Sequence, residues 1–346
     1  MLFARQADFP LLGVLRQNPF LRYKAIPPTS WRKEKMTKRA VVVGINDYSG
    51  IDPSGKSNLS SCVADADAMM DMLVSAFGFD SSESTKLTDK SAGSAAITSA
   101  LNGILSKSDA GDVACFYYSG HGSRTSADSG QADCDKFYES IIPASGSAIT
   151  DRDLFNIADQ LQPSFVEFTV ILDSCHSGGM DQETDAVLKC KSPVLPGDLL
   201  QQMVNYLRTL VPCGILIPLD SDACDGNVTS VSNNGGVAAA DEDPDKVFVD
   251  QAKTTLIAGC KFNELSWETA GHGLLTKAFL NTVNASNFQI SYSDLLDQLR
   301  TSVTSDFSSL IVPSISSDLP QSQTPQLRGQ GNRMDQGFLQ GFVDSR

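Results

Sequence analysis

Two residues in this chain have the type and setting for nucleophilic chemistry, Cys175 and His121. Cys175 lies in Asp173-Ser174-Cys175-His176-Ser177-Gly178-Gly179, directly after the apolar run Phe168-Thr169-Val170-Ile171-Leu172. His121 lies in Ser119-Gly120-His121-Gly122, directly after Val113-Ala114-Cys115-Phe116-Tyr117-Tyr118. A thiol becomes a useful nucleophile when an imidazolium or electropositive backbone stabilises its thiolate. Backbone N–H groups of Cys175 and of the glycine turn at Gly122 could then point at the oxygen of a tetrahedral intermediate. The reaction class is acyl transfer, most simply peptide-bond hydrolysis through a thioester. The competing readings are an inert core cysteine and a Cys175-His176 metal pair. Only three histidines occur (121, 176 and 272) and two fall in these glycine loops, which weakens the first; no Cys or His partner stands at zinc-like spacing, which weakens the second.

Each candidate follows a short β-branched run, the pattern of a buried strand that delivers a reactive group at its C-terminal edge. In open α/β sheets that edge is where ligands sit. A third such run, Ala40-Val41-Val42-Val43-Gly44-Ile45-Asn46, opens the domain, and Thr254-Thr255-Leu256-Ile257-Ala258 supplies a fourth. Between them the spacing predicts helices over 59–77 and 94–105 and a short strand over 85–88. A helix opened by Thr150 with Asp153 is expected next, then helices over 274–283 and 292–303, the last capped by Ser291 with Asp294. Strands alternating with helices imply right-handed crossovers and an α/β sandwich, a mostly parallel sheet covered by helices on both faces. The cysteine and histidine strands are expected to be neighbours.

The net charge of −14 argues against non-specific nucleic-acid or anionic-membrane binding and suits a basic substrate. No apolar run is long enough to span a bilayer. The eight cysteines contain no C-x-x-C pair, so a reducing compartment and a cytoplasmic protein are expected. The first 36 residues, rich in Arg and Lys and poor in acids, read as an extension or an organelle transit segment. Residues 37–185 form a large portion, 186–252 a Pro-, Gly- and Asp-rich surface linker, and 253–346 a small portion of the same domain.

Taken together, Tyr118-Ser119-Gly120-His121-Gly122 and Asp173-Ser174-Cys175-His176-Ser177-Gly178 resemble the histidine and cysteine motifs of the caspase and metacaspase superfamily of cysteine peptidases. Val43-Gly44-Ile45-Asn46 resembles the family's first strand and 59–73 its first helix. The resemblance implies a His121–Cys175 dyad with an oxyanion hole at Gly122 and Cys175. It further implies an acidic pocket of Asp65, Ser119 and Asp173 that accepts Arg or Lys, so that the partners are protein or peptide substrates. Latency and self-cleavage in the linker are implied too, with Lys189, Lys191, Arg208, Lys246 and Lys253 as the basic candidates. Calcium, bound in many metacaspases by aspartates outside the active site, would fall to Glu139, Asp151 and Asp181. Arg152 stands where another acidic ligand is expected, against the oxygen-rich, negative set that calcium favours. A monomer is expected. The rivals are a catalytically silent scaffold on the same fold and a cysteine hydrolase or transamidase of different specificity.

Overall fold

The computed structural model describes residues 36–126, 137–159, 166–175, 189–191, 254–261, 264–315, 317, 319–329 and 333–341. Three strands without an exposed residue make its centre: β1 (Lys38–Gly44), β3 (Val113–Ser119) and β7 (Glu167–Asp173). They lie side by side in parallel, β3 between the other two, with Gly44, Ser119 and Asp173 in one row across their C-terminal ends. β2 (Thr85–Thr88) and β9 (Thr254–Ala258) extend the parallel sheet on either side. The short β11 (Gln326–Arg328) closes it antiparallel to β9, giving the order β11-β9-β7-β3-β1-β2. Strands buried on both faces need apolar residues at successive positions, which is why these runs carry no polar alternation.

Alternate residues of each strand feed two separate cores. Ala40, Val42, Cys115, Tyr117 and Ile171 face α1 (Cys62–Ser75), α4 (Leu274–Ala285) and α5 (Tyr292–Asp306), together with Trp267 and Phe338. Val41, Val43, Ala114, Phe116, Tyr118 and Val170 face α2 (Ser94–Ser106) and α3 (Asp151–Asp159). Period-2 alternation between two helical layers is the sandwich expected from the strand and helix pattern.

The helix ends follow local chemistry. The Asn46 side-chain carbonyl accepts from the N–H groups of Cys62 and Val63, so the turn after β1 caps α1 and leaves Asp65 in its first turn. This helix starts at Cys62, three residues later than the periodicity from Leu59 suggests, because Leu59 to Ser61 lead into that cap. Thr150 and Asp153 cap α3 reciprocally, and the Ser291 hydroxyl caps α5 by accepting the Asp294 N–H while it donates to the Asp294 carboxylate, as expected.

A three-stranded antiparallel sheet stands beside the main one: β4 (Gly122–Ser126), β5 (Phe137–Ile141) and β6 (Ile149–Thr150). A two-stranded ladder pairs β8 (Lys189–Cys190) with β10 (Trp267–Glu268). That ladder corrects the domain reading. Residues 189–191 were expected in the surface linker, but 189–190 form a strand and the lysine that follows it, Lys191, is fully buried.

Candidate active site

Adjacent strands β3 and β7 bring the two chemical candidates to the same sheet edge, where Ser119 and Asp173 are paired in register. Both Cys175 and His121 are buried, at 1% exposure each. His121 is held by tyrosines. Its N–H donates to the Tyr48 hydroxyl at 2.7 Å, and Tyr118 donates from its own hydroxyl to the His121 carbonyl at 2.8 Å. The Tyr48 ring packs on the imidazole with centroids 4.3 Å apart. Nε2 lies 2.6 Å from the Ser57 carbonyl, so that nitrogen carries the proton. Nδ1 is then left as a lone-pair acceptor, and among the described residues it has no hydrogen-bond partner. Burial lowers the imidazole pKa to about 4, with the hydrogen bond to the Ser57 carbonyl acting in the opposite sense. Burial also raises the Cys175 thiol, helped by the neighbouring Cys190. The pair is therefore neutral thiol and neutral imidazole in this state.

The sulfur is held between Ser266 and Cys190. Cys175 Sγ accepts the Ser266 N–H at 3.1 Å and lies 3.4 Å from the Ser266 carbonyl and 3.5 Å from Cys190 Sγ.

Lys191 occupies the centre of the site. Its carbonyl oxygen accepts from the N–H of Gly122 at 3.1 Å and of Cys175 at 3.4 Å, the two donors expected to form an oxyanion hole. Its own N–H donates to the Ser266 carbonyl at 2.9 Å. A side chain at Gly122 would run into the Cys175 carbonyl, so only glycine lets the histidine loop approach the cysteine loop this closely.

The Lys191 side chain runs into a closed acidic pocket. Its ammonium lies 3.0 Å from Asp173 Oδ2, 3.3 Å from Asp65 Oδ2 and 2.9 Å from the Ser119 hydroxyl, and all three carboxylate and ammonium side chains are fully buried. The three pocket residues inferred from sequence are thus in one place around one cation. Burial works against the Lys191 charge, but Asp173 first, then Cys62 and Asp65, outweigh it and hold the ammonium above the ordinary lysine value. Burial likewise works against the Asp65 carboxylate, and Lys191, His272, Ser119 and Gly273 together hold it below the ordinary value.

Several residues of the site carried no signal in the sequence reading. Thr276, in the first turn of α4, donates to Asp173 Oδ2 from both its N–H and its hydroxyl, and Ser266 donates to Asp173 Oδ1. The helix N-terminus adds its partial positive charge there. Gly273 forms the pocket wall: a methyl group on it would meet both Asp173 Oδ2 and the Lys191 ammonium. His272 Nδ1 lies 2.8 Å from Asp65 Oδ1 with its ring 36% exposed, a cap on the outer side of the same carboxylate. Its rarity among three histidines was the one clue available. Tyr48 and Ser57, which position His121, come from the loop after β1.

The remaining candidates separate from this centre. Lys189 points its ammonium to the Asn58 carbonyl, outside the acidic pocket. Arg208, Lys246 and Lys253 lie outside the described residues, as does Asp181. Glu139 on β5 stands one register step beyond the Ser140–Thr150 pair, next to Asp151 at the start of α3. Among the described residues no three His, Cys, Asp or Glu side chains are grouped to hold a metal.

A family model described as Caspase domain matches residues 37–333. Metacaspase-4 of Arabidopsis thaliana is 39% identical over 153 residues, 43% of this chain and 35% of that protein. The chain thus spans about a third of that relative's length. Metacaspase-1 of Schizosaccharomyces pombe is 26% identical over 292 residues, 79% of this chain and 66% of that protein. Among solved structures, a protein from Geobacter sulfurreducens covers 89% of the chain, over its own whole length, at a TM-score of 0.57 and 19% identity. Caspase-1 from Spodoptera frugiperda covers 85% of this chain and 89% of its own at 0.50 and 14% identity. These two likenesses speak to the fold alone. With the family model spanning both motifs and the whole central sheet, the chain belongs to the caspase-domain family, the caspase-like cysteine peptidases, and its relatives are metacaspases.

Proposed function

We propose that this protein is a cysteine endopeptidase that cleaves after Lys or Arg, and that the Lys191–Ser192 bond is its own first substrate. One observation carries the reading: the Lys191 carbonyl accepts both candidate oxyanion donors while its ammonium is paired with Asp65 and Asp173. A strand seated in this way has the register of a bound substrate, with β10 as its antiparallel partner and Ser266 accepting its last N–H. The pocket is closed and doubly anionic, so a monovalent cation on a long stem suits it and an aspartate does not.

In the reaction, Cys175 Sγ leaves Ser266 and swings to the Lys191 carbonyl carbon as the thiol proton passes to His121 Nδ1. Charge developing on the carbonyl oxygen is met by the Gly122 and Cys175 N–H groups. The imidazolium, oriented by Tyr48, Tyr118 and Ser57, returns the proton to the Ser192 nitrogen, the C–N bond breaks, and the acyl group remains on sulfur as a thioester. Water, deprotonated by the same nitrogen, releases the Lys191 carboxylate and restores the thiol. Neutral forms of both groups at rest mean that the proton moves during attack rather than before it. Until the first cut, the docked strand blocks other substrates, and the chain is a zymogen.

Calcium enters the same proposal as an activating ion, with Glu139, Asp151 and Asp181 as the candidates the sequence offers, and no step of the chemistry uses it. The test is hydrolysis of matched fluorogenic peptides ending in Arg, Lys or Asp, with and without calcium, by the wild type and Cys175→Ala. N-terminal sequencing of any self-cleavage fragment accompanies it. Cleavage after Arg and Lys that is lost in the variant, with a fragment beginning at Ser192, is expected. An inert wild type, before and after nicking of the linker, would favour the binding scaffold instead; hydrolysis after Asp would overturn the pocket assignment.

A further inference from the structure

The strand that fills the site also carries a second thiol, Cys190, next to the lysine in the pocket. Its sulfur lies 3.5 Å from Cys175 Sγ. Both cysteines are free, Cys175 fully buried and Cys190 half-buried. The geometry points to a modification site: Cys175 and Cys190 form a reversible disulfide that locks the uncut chain. This inference rests on the reading of residues 189–191 as a docked, substrate-like strand.

The backbone has already done the ordering that such a bond requires. Cys190 pairs with Trp267 across the ladder, Lys191 donates to the Ser266 carbonyl, and Cys175 and Gly122 donate to the Lys191 carbonyl. The two sulfurs are therefore held at van der Waals contact, about 1.5 Å from the disulfide length of about 2.0 Å, a gap that side-chain rotation can close. The Cys175 rotamer favours this outcome over peptide attack. Its sulfur faces Ser266 and Cys190, and the Ser266 N–H donates to it, which stabilises developing negative charge on that sulfur.

Hydrogen peroxide would supply the oxidising equivalents. Cys190, the more exposed thiol, reacts first: its sulfur takes one peroxide oxygen to become a sulfenic acid, the O–O bond breaks and one water leaves. Cys175 sulfur then attacks the sulfenic sulfur. The S–S bond forms, the S–O bond breaks, and the departing hydroxyl takes the thiol proton of Cys175 and leaves as a second water. Two thiols lose two electrons in all, and one peroxide gains them. The product has no nucleophile for the Lys191–Ser192 bond, and its strand is tethered in the site. It also has no free Cys175 thiol to be carried to the irreversible sulfinic acid. Reduction by a dithiol restores both thiols and permits self-cleavage.

The experiment treats the full-length chain, purified reduced, with hydrogen peroxide and maps it by mass spectrometry after non-reducing digestion. A Cys175–Cys190 cross-linked peptide, with an intact mass lower by about 2 Da, is expected. Dithiothreitol should then return self-cleavage and peptide hydrolysis to within about twofold of the untreated wild type. Cys190→Ser treated in the same way should recover about a tenth or less of its own untreated activity, with Cys175 found as sulfinic acid. If peroxide leaves both wild-type thiols free or oxidises them separately, or if the variant recovers as fully as the wild type, the lock is wrong. The mass map needs no activity and no variant, so it decides the lock even if Cys190→Ser fails to fold. An inert chain that still forms the cross-link would count against the peptidase reading and leave the lock standing.

Discussion

Replacing Lys191 by Met tests the centre of the mechanism, because methionine keeps an unbranched stem one atom shorter and removes the ammonium with its charge and its hydrogen bonds. In the structure the ammonium has carboxylate oxygens at 3.0 and 3.3 Å, both on fully buried side chains. With an effective dielectric of about 20, each contact represents a gross attraction of about 5 kcal/mol, opposed by desolvation of several kcal/mol per ion. Removing one partner of such a buried set leaves uncompensated charge and costs about 3–5 kcal/mol. Asp65 and Asp173 can escape that cost by taking up water, which requires the strand to leave. Docking of residues 189–191 should therefore weaken between about a hundred- and a few thousand-fold. Hydrogen exchange in a Cys175→Ala background isolates the effect from cleavage. The amides of Gly122 and of residue 175, which donate to the Lys191 carbonyl, should lose protection by that factor in Lys191→Met, while the strand amides of 113–119 stay protected. With Cys175 intact, no fragment beginning at Ser192 should appear, and Lys191→Arg should restore it. Unchanged protection at Gly122, or a cut after residue 191 in Lys191→Met at the wild-type rate, would refute the reasoning.

Three further outcomes follow from the same site. Gly273→Ala places a methyl group against Asp173 Oδ2 and the Lys191 ammonium, so kcat/KM for Arg and Lys peptides should fall at least about a hundredfold, and overpacking of the buried carboxylate should cost about 1–3 kcal/mol in urea unfolding. Tyr48→Phe removes the acceptor of the buried His121 N–H; urea unfolding should show a loss of about 1–3 kcal/mol, and kcat should fall more than KM rises because the imidazole is no longer held. His272 gives a pH dependence of known sign. Its hydrogen bond to Asp65 raises its pKa above the ordinary value of about 6.5, so the ion pair is fully present below that value and is lost as pH rises through the folded pKa. Above that point Asp65 is no longer shared with a second cation, and KM for Arg peptides should fall by up to about fivefold, the size usual for a partly exposed pair. His272→Gln should abolish that limb of the KM profile; a profile that persists in the variant assigns the titration elsewhere.

Much of this arrangement was legible in the chain because it is local. A strand buried on both faces must be apolar at successive positions, so Ala40 to Val43, Val113 to Tyr118 and Phe168 to Leu172 announce the parallel core. The cap at Ser291 and Asp294 and the one at Thr150 and Asp153 are also local, needing only three-residue spacing. His121, Cys175, Asp65 and Asp173 stand in or beside motifs that resemble a known family, and the sheet edge brings them together. Where the reading stopped was at contacts between distant segments. Five basic residues in or beside the linker were equal candidates for self-cleavage, and composition made all of 186–252 look like surface. Only the folded chain selects Lys191, because β10 offers an antiparallel edge to residues 189–190 and Ser266 accepts the next N–H.

The sequence by itself determined the sheet and its helical layers, and it singled out Cys175 and His121 as candidates, with Asp65 and Asp173 added by the family resemblance. Each of these is written in residue types whose burial or chemistry depends on neighbours a few positions away. Tertiary structure alone decided what the pocket holds and what the sulfur faces. Asp65 and Lys191 are 126 residues apart, and Cys175 meets Ser266 across 91. Their pairing depends on closing long loops and on burying two carboxylates that only a cation at that depth can neutralise, and no periodicity along the chain records it.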